Sequence, residues 1–374
     1  MKILTLEPYY GGSHKSFLDG WMSRSEHDWD LLTQPANKWK WRMRISAISF
    51  ADEINKRLAR GDTWDVLFCS DMLNLAEFYG LVDKRIRDIP SVVYFHENQL
   101  TYPNQVESDR DYQFVVTNMT TALAADSIWF NSEFHKNEFP TKLKKFIRKF
   151  PREKPENIIE KIRAKSTVQH PAIDIPEPVA IDKTDRPLQI LWAARWEHDK
   201  NPEDFFAAIK RLANKQIDFR LSIIGEHFTE IPEVFTRAKK DYAGIIDHWG
   251  FQPSYADYIS ALQNADIVVS TAIHEFFGIS MVEAITSGAY PVLPNRLSYP
   301  EITAEIEKLE PNEFLYDGSV DSLTTKLKHL ATRHKKNNLW QNAPKRGIIA
   351  MQKHNWQKRA KEMDKAIENN LTDV

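Results

Sequence analysis

The sequence predicts an α/β protein built from two doubly wound units. Short apolar, β-branched runs alternate with longer amphipathic stretches, this series occurs twice, and a proline-dense segment separates the two series. In the first half the expected strands are Ile3–Leu6, Asp65–Ser70, Ser91–Phe95, Ser127–Phe130 and Thr167–Gln169, with helical patterns around 14–23, 46–60 and 111–125. The second series is Leu188–Ala193, Arg220–Ile224, Ile245–Trp249, Ile267–Ser270 and Tyr290–Leu293. Between them, Pro171, Pro176 and Pro178 crowd a stretch that can be neither helix nor central strand. The expected domains are therefore 1–178 and 179–374, with a last polar helical segment, Gln341 to about Asn370, that can pack back on the first. Paired domains of this kind bind ligand in the cleft between them, at the carboxyl ends of strands.

Composition narrows the class. Of 374 residues, 42% are hydrophobic, too many for a disordered chain. The single cysteine, Cys69, excludes an intrachain disulfide and a cysteine-rich metal site, and its apolar run marks it as an inert core thiol. No stretch approaches the roughly 20 apolar residues of a membrane span, and the first residues meet charge at Glu7 before a signal core can form, so a cytoplasmic protein without stable membrane insertion is expected. The formal net charge of −2 argues against a bulk polycation. That charge is unevenly spread: residues 141–165 carry +7 and the remainder −9.

Four segments can carry chemistry. Gly11-Gly12-Ser13-His14 follows the first strand; glycines there let backbone amides approach an anion at a helix start capped by Ser13, or form a turn without ligand. His96-Glu97-Asn98-Gln99 follows Val92–Phe95, where polar groups face the open end of a sheet; His96 can bond a sugar hydroxyl, act as a base, or sit as a satisfied loop histidine. Arg195 and Lys200 bracket a strand-to-helix loop ending in Asn201 as N-cap and Pro202; two cations there can clamp a diphosphate or be surface charge. Glu275-Phe276-Phe277-Gly278-Ile279 opens a helix over 278–287 that contains Glu283, placing a carboxylate on either side of a helix N-terminus suited to phosphate. The dinucleotide pattern Gly-x-Gly-x-x-Gly is absent after the first strand, which argues against a nicotinamide dehydrogenase.

Glu275 and Glu283, with Gly288-Ala289-Tyr290-Pro291-Val292 behind them, resemble the retaining family-4 glycosyltransferases of GT-B fold, whose two Rossmann-like domains face a central cleft. Tyr10 to Lys15, Pro35 to Arg42 and Tyr94 to Pro103 are similar to the tRNA-queuosine α-mannosyltransferase family. The resemblance implies GDP-mannose as donor, no required cofactor or metal, and the queuosine nucleoside of tRNA as acceptor. It implies that Arg195 and Lys200 neutralise the leaving diphosphate, Glu275 holds mannose hydroxyls and Glu283 the ribose. Gly225, Phe276, Gly278 and Ile279 complete the donor side, with the base read near Gly225–His227 and Gly250–Pro253. His96 lines the sugar side, with Gly11, Gly12, Ser13, His14, Glu97 and Asn98 on the acceptor side. Retention is expected to proceed on one face of the sugar, without a protein nucleophile.

A tRNA acceptor needs phosphate contacts. Lys142, Lys144, Lys145, Arg148 and Lys149 in the basic segment are candidates, or else a solvated helix face. Trp39, Lys40, Trp41 and Arg42 interleave aromatics with cations, the composition that stacks the exposed bases of an anticodon loop; the tryptophans can instead be core. The rival reading is a GT-B enzyme using another nucleotide sugar on a glycan or lipid-linked acceptor, with the basic stretch on an anionic membrane.

Overall fold

A computed structural model describes residues 1–102, 111–151, 154–177, 179, 181, 183–226, 231–306 and 313–372; Pro103, Arg152, Glu153, Pro178 and His227 lie outside them. The chain divides into two compact units, Met1–Ala172 with Trp356–Val374, and Ile173–Asn355.

In the first unit, strands β1 (Lys2–Tyr10), β2 (Asp28–Pro35), β3 (Val66–Ser70), β4 (Ser91–Phe95), β5 (Ser127–Phe130) and β6 (Ser166–Val168) form one sheet in the order β2-β1-β3-β4-β5-β6. Every pairing is parallel. The strand alternation divides its side chains between two cores: Leu67 and Cys69 enter one, Val66 and Phe68 the other, so both faces are covered. Cys69 is fully buried, and burial raises its thiol pKa well above the ordinary value, as an inert core thiol requires. The second core is closed by the helix Trp356–Thr372, whose Trp356, Ala360, Met363 and Ile367 pack beside Phe17 and Trp21. Asp364 accepts hydrogen bonds from the Trp21 indole at 2.7 Å and the Glu26 amide at 2.9 Å.

The second unit repeats the plan with β7 (Leu188–Ala193), β8 (Phe219–Ile224), β9 (Ile246–Gly250), β10 (Ile267–Val269), β11 (Tyr290–Pro294) and β12 (Leu315–Tyr316), in the order β12-β11-β10-β7-β8-β9, again parallel throughout. The division between units falls at Ala172, ahead of the expected position at 178. Ile173 is buried in the second core and its amide bonds the His354 carbonyl at 2.9 Å.

Three local expectations need correction. β2 was not expected: it is an edge strand whose Asp28, Asp30, Thr33 and Gln34 hide its apolar positions. The helix expected from 46 starts at Trp39. Ser13 is not a cap; the helix Gly12–Met22 takes Gly11 as its N-cap, and Ser13 is exposed. Among the described residues no helix is long and apolar enough to cross a membrane.

Candidate functional site

In the second unit, the loop leaving β7 and the loop leaving β10 are tied together. The Ile273 amide donates to the Asp199 carbonyl at 2.8 Å, and the Thr271 hydroxyl to the Lys200 carbonyl at 2.9 Å. Lys200 is buried between the two loops. Its Nζ donates to the His274 carbonyl at 2.9 Å and lies 3.0 Å from Asp199 Oδ2 and 3.4 Å from Glu275 Oε2. Burial alone would lower its pKa, but Glu275 and Asp199 outweigh burial and raise it. For Glu275, burial is likewise outweighed by Lys200, and its pKa is lowered; the Phe276 amide donates to its other oxygen at 3.0 Å. Both partners are therefore charged. His274 beside them is pushed down to about 4 by burial and then by Lys200, and stays neutral. Arg195 differs: its side chain is 42% exposed and reaches Glu197 at 3.3 Å. Asn201 and Pro202 hold the expected N-cap and opening positions of the helix Pro202–Ala213, but Asn201 is left-handed and its side-chain amide donates to Asp204 at 2.7 Å, so it makes no side-chain cap bond.

Gly278, at φ +98°, opens the helix Ile279–Thr286. Ser280 Oγ bonds the Ala193 carbonyl at 2.9 Å and pins the first turn of that helix to the end of β7. Phe276 is buried, edge-on to the His274 ring, while Ile279 is half-buried. Glu283, one turn on, accepts from the Tyr258 hydroxyl at 2.7 Å, and burial lifts its pKa to about 7. Gly225 is required by close approach: a Cβ there would lie 1.8 Å from the Ala194 carbonyl oxygen.

In the first unit the carboxyl ends of β1, β3 and β4 gather a second cluster. Glu7 Oε2 lies 3.2 Å from His14 Nδ1, and Glu7 Oε1 accepts from the Ser70 hydroxyl at 3.0 Å. The His14 ring stacks on His96, with centroids 3.9 Å apart. Burial opposes the charge on His14, but Glu7 outweighs it and raises the pKa to about 9. His96 is held well below its ordinary value by burial and then by charged His14. The pair thus holds one charged and one neutral ring.

The loop after β4 is clamped by buried polar groups. The His96 amide donates to Asp71 at 2.8 Å and its carbonyl accepts from Asn131 at 2.8 Å. Asn98 is fully buried, accepting from the Leu100 and Thr101 amides and meeting His135 at 2.9 Å, so it builds the loop. Glu97 is half-buried and accepts from Gln99 at 3.0 Å. Gly11 has its own close approach, since a Cβ there would lie 2.3 Å from that of Ala36. Gly12 takes φ +52° with open space around it.

Glu7, Asp71, Asn131 and His135 were not among the expected site residues. Asp71 and Asn131 follow apolar strands directly, the same signal that marked His96. Ligand atoms of Glu7, His14 and His96 lie within 4.8 Å of one another, the one such group among the described residues.

The expected RNA contacts separate. Trp39 packs on Phe114 at 5.0 Å beside Met43 and Met72, and the Arg42 guanidinium bonds Pro35, Gln34 and Asn37; both serve the fold. Lys142 lies 3.3 Å from Glu138, and Lys149 sits 5.2 Å over the Tyr112 ring. Lys40, Trp41, Lys144, Lys145 and Arg148 are exposed.

Residues 2–173 match the family described as tRNA-queuosine alpha-mannosyltransferase N-terminal, and residues 175–347 match glycosyl transferases group 1. The tRNA-queuosine alpha-mannosyltransferase of Drosophila melanogaster is 37% identical over 336 residues, covering 87% of this chain and 85% of that protein. The chain belongs to the tRNA-queuosine α-mannosyltransferase family. As a member it is a glycosyltransferase, and the resemblance carried by the Tyr10 to Lys15 and Tyr94 to Pro103 segments holds. Its fold is GT-B. The sucrose-phosphate synthase of Thermosynechococcus elongatus superposes with a TM-score of 0.75 at 12% identity, each chain covered in full. A glycosyltransferase from Rickettsia africae gives 0.63 at 14% identity, with 100% of this chain and 99% of that one covered. The family's group 1 half coincides with the unit that holds Lys200, Glu275 and Glu283.

Proposed function

We propose that the protein transfers mannose from GDP-mannose, with retention, to the queuosine nucleoside of a tRNA in the cytoplasm. The observation that carries this reading is the ion pair of buried Lys200 with half-buried Glu275 beside the glycine that opens the Ile279–Thr286 helix, in a chain of this family.

In the step, an acceptor hydroxyl oxygen bonds the mannose anomeric carbon on the face from which GDP departs. The bond from that carbon to the β-phosphate oxygen breaks, its electron pair leaves with the phosphate, and the hydroxyl proton passes to that phosphate. The products are GDP and the mannosylated nucleoside, and no side chain serves as nucleophile. The diphosphate gains charge as it leaves. Arg195, Lys200 and the amides at the Gly278–Ile279 turn stabilise it there. The Lys200 ammonium donates to the His274 carbonyl at 2.9 Å and to Glu275 at 3.4 Å, and is ion-paired with Asp199 at 3.0 Å. The longest contact, 3.4 Å to Glu275, is the one that yields to phosphate. That exchange frees a Glu275 oxygen for mannose hydroxyls. Glu283, steadied by Tyr258, takes the ribose, and Gly225 leaves room for the nucleotide at the end of β8. Neutral His96 bonds the sugar or acceptor hydroxyl while charged His14 fixes its ring; Gly11, Gly12, Ser13 and Glu97 border it.

The test is direct. Purified protein is incubated with GDP-mannose and queuosine-containing tRNA, and the digested nucleosides are weighed by mass spectrometry. A queuosine nucleoside heavier by one hexose is expected; unmodified queuosine with active donor refutes the reading. A thermal-shift panel checks the donor: GDP-mannose should raise the midpoint more than any UDP-sugar, and the reverse order would reassign it.

A further inference from the structure

The two basic segments lie about a hundred residues apart in sequence, and the start of the helix Tyr112–Ala124 joins them within the first unit. On one side, the Arg44 guanidinium pairs with Asp111 at 2.6 Å and lies 4.6 Å over the Phe114 ring, on which Trp39 also packs. On the other, Tyr112 stacks on Phe146 at 5.4 Å, and Lys149 Nζ lies 3.2 Å from the Tyr112 hydroxyl. The N-terminal turns of the Trp39–Ala59 helix are thereby continuous with the end of the Glu133–Ile147 helix.

Along this strip two aromatic rings remain exposed, one of them although it also packs in the fold. Trp41 is 59% exposed and makes no ring contact among the described residues; Tyr112 is 40% exposed. Lys38 and Lys40 flank Trp41, and Ile45 and Ile48 continue its apolar face. At the far end, the helices Glu133–Ile147 and Ile158–Ala164 enclose a groove of about 290 Å³ walled by Lys144, Lys145, Arg148 and Arg163, with Glu160 the one acid in its lining. The charge pattern of the longer helix is lopsided. Its early lysines are paired, Lys136 with Glu133 at 2.9 Å and Lys142 with Glu138 at 3.3 Å. The four groove cations have no ion-pair partner among the described residues. Unneutralised cations converging on a groove suit a phosphate, and exposed aromatic faces beside further cations suit unstacked bases.

We infer that this strip is an RNA-binding surface: Trp41 and Tyr112 stack exposed bases of a loop, and the Lys144–Lys145–Arg148–Arg163 groove takes the adjoining phosphates. The inference rests on the reading that the acceptor is a tRNA. It also revises the expected contacts, adding Lys38, Tyr112 and Arg163 and removing Trp39 and Arg42.

The experiment measures affinity for queuosine-containing tRNA across a salt series, alongside GDP-mannose binding and mannosyl transfer. The variant K144Q/K145Q/R148Q/R163Q should bind tRNA at least about tenfold more weakly at physiological salt. Its slope of log affinity against log salt should be shallower by about 3, the loss of four phosphate contacts. W41A should weaken binding about tenfold and W41F should recover most of it. GDP-mannose binding and thermal midpoint should not move in any of the three. If wild type modifies tRNA and all variants bind it equally well, the strip is overturned while the catalytic reading stands. If wild type neither binds nor modifies tRNA, both fall. If the four cations govern pelleting with phosphatidylserine vesicles and leave tRNA affinity unchanged, the strip is a membrane contact and the inference is wrong.

Discussion

The two units bury charge in opposite ways. In the second unit, Lys200 and Glu275 each drive the other further into its charged form, so the pair holds its charge across the physiological range. In the first, Glu7 charges His14, and charged His14 helps keep His96 neutral, so the state of the stacked rings depends on one proton. A fixed charge suits the diphosphate proposed for the second unit. A ring pair divided between charged and neutral suits the hydroxyl proposed for the first, which can both donate and accept. The comparison predicts sharp functional intolerance in one cluster and pH sensitivity in the other.

The largest effect belongs to Lys200. Lys200→Met leaves buried Asp199 and half-buried Glu275 without their cation, which should destabilise the protein by about 3 kcal/mol, the low end for a buried pair. Transfer should fall on the order of a thousandfold. Adding Glu275→Gln should restore part of the denaturant midpoint and none of the turnover. A double variant no more stable than the single one would mean the pair is not the unit that matters.

Next comes pH. The folded pKa of His14, about 9, lies above its ordinary value, so the folded state holds this proton more tightly than the unfolded chain does. The stabilisation is complete below about pH 6.5 and is lost as pH rises through about 9, roughly 3 kcal/mol in all. Asp71, raised to about 8 by burial, acts in the same direction. His96, held low, acts the other way, and only below its ordinary value. Glu7→Gln should therefore flatten the loss of stability between neutral and alkaline pH, read from urea midpoints. An alkaline limb equally steep in the variant would remove His14 from this role.

Smaller effects separate the glycines. Gly225→Ala drives a Cβ into the Ala194 carbonyl and should cost about 1–3 kcal/mol together with measurable donor affinity. Gly12→Ala meets open space and incurs only its left-handed backbone, about 1 kcal/mol, with donor binding intact. Equal losses at the two positions would erase the contrast in crowding.

Much of this was legible in the sequence, for specific reasons. β3, β4, β5 and β7 are buried on both faces and read as apolar runs, broken inside only by Gln189 of β7. Glu275, Gly278 and Glu283 lie within nine residues, so their frame survives as a local motif. β2 was hidden because this edge strand is mostly polar and buries only Leu32, and β12 because it is two residues long. Trp39 and Trp41 are two residues apart and looked equivalent. On a helix that spacing turns them to different faces, one against Phe114 and one to solvent. Glu7 meets Ser70, and Asp71 and Asn131 meet His96, across 25 to 63 residues of chain, and these pairings exist only after the sheet has assembled.

The helix Trp356–Thr372 has a consequence for how the protein is made. It completes the core beside Phe17 and Trp21, yet the whole second unit, residues 173–355, is translated before it. At about 5–20 residues per second, the nascent first unit waits about 10–40 s with that apolar face uncovered. The second unit has no such delay, because its residues are contiguous. During synthesis it is the first unit, older on the ribosome but later to be finished, whose apolar face stays exposed longest.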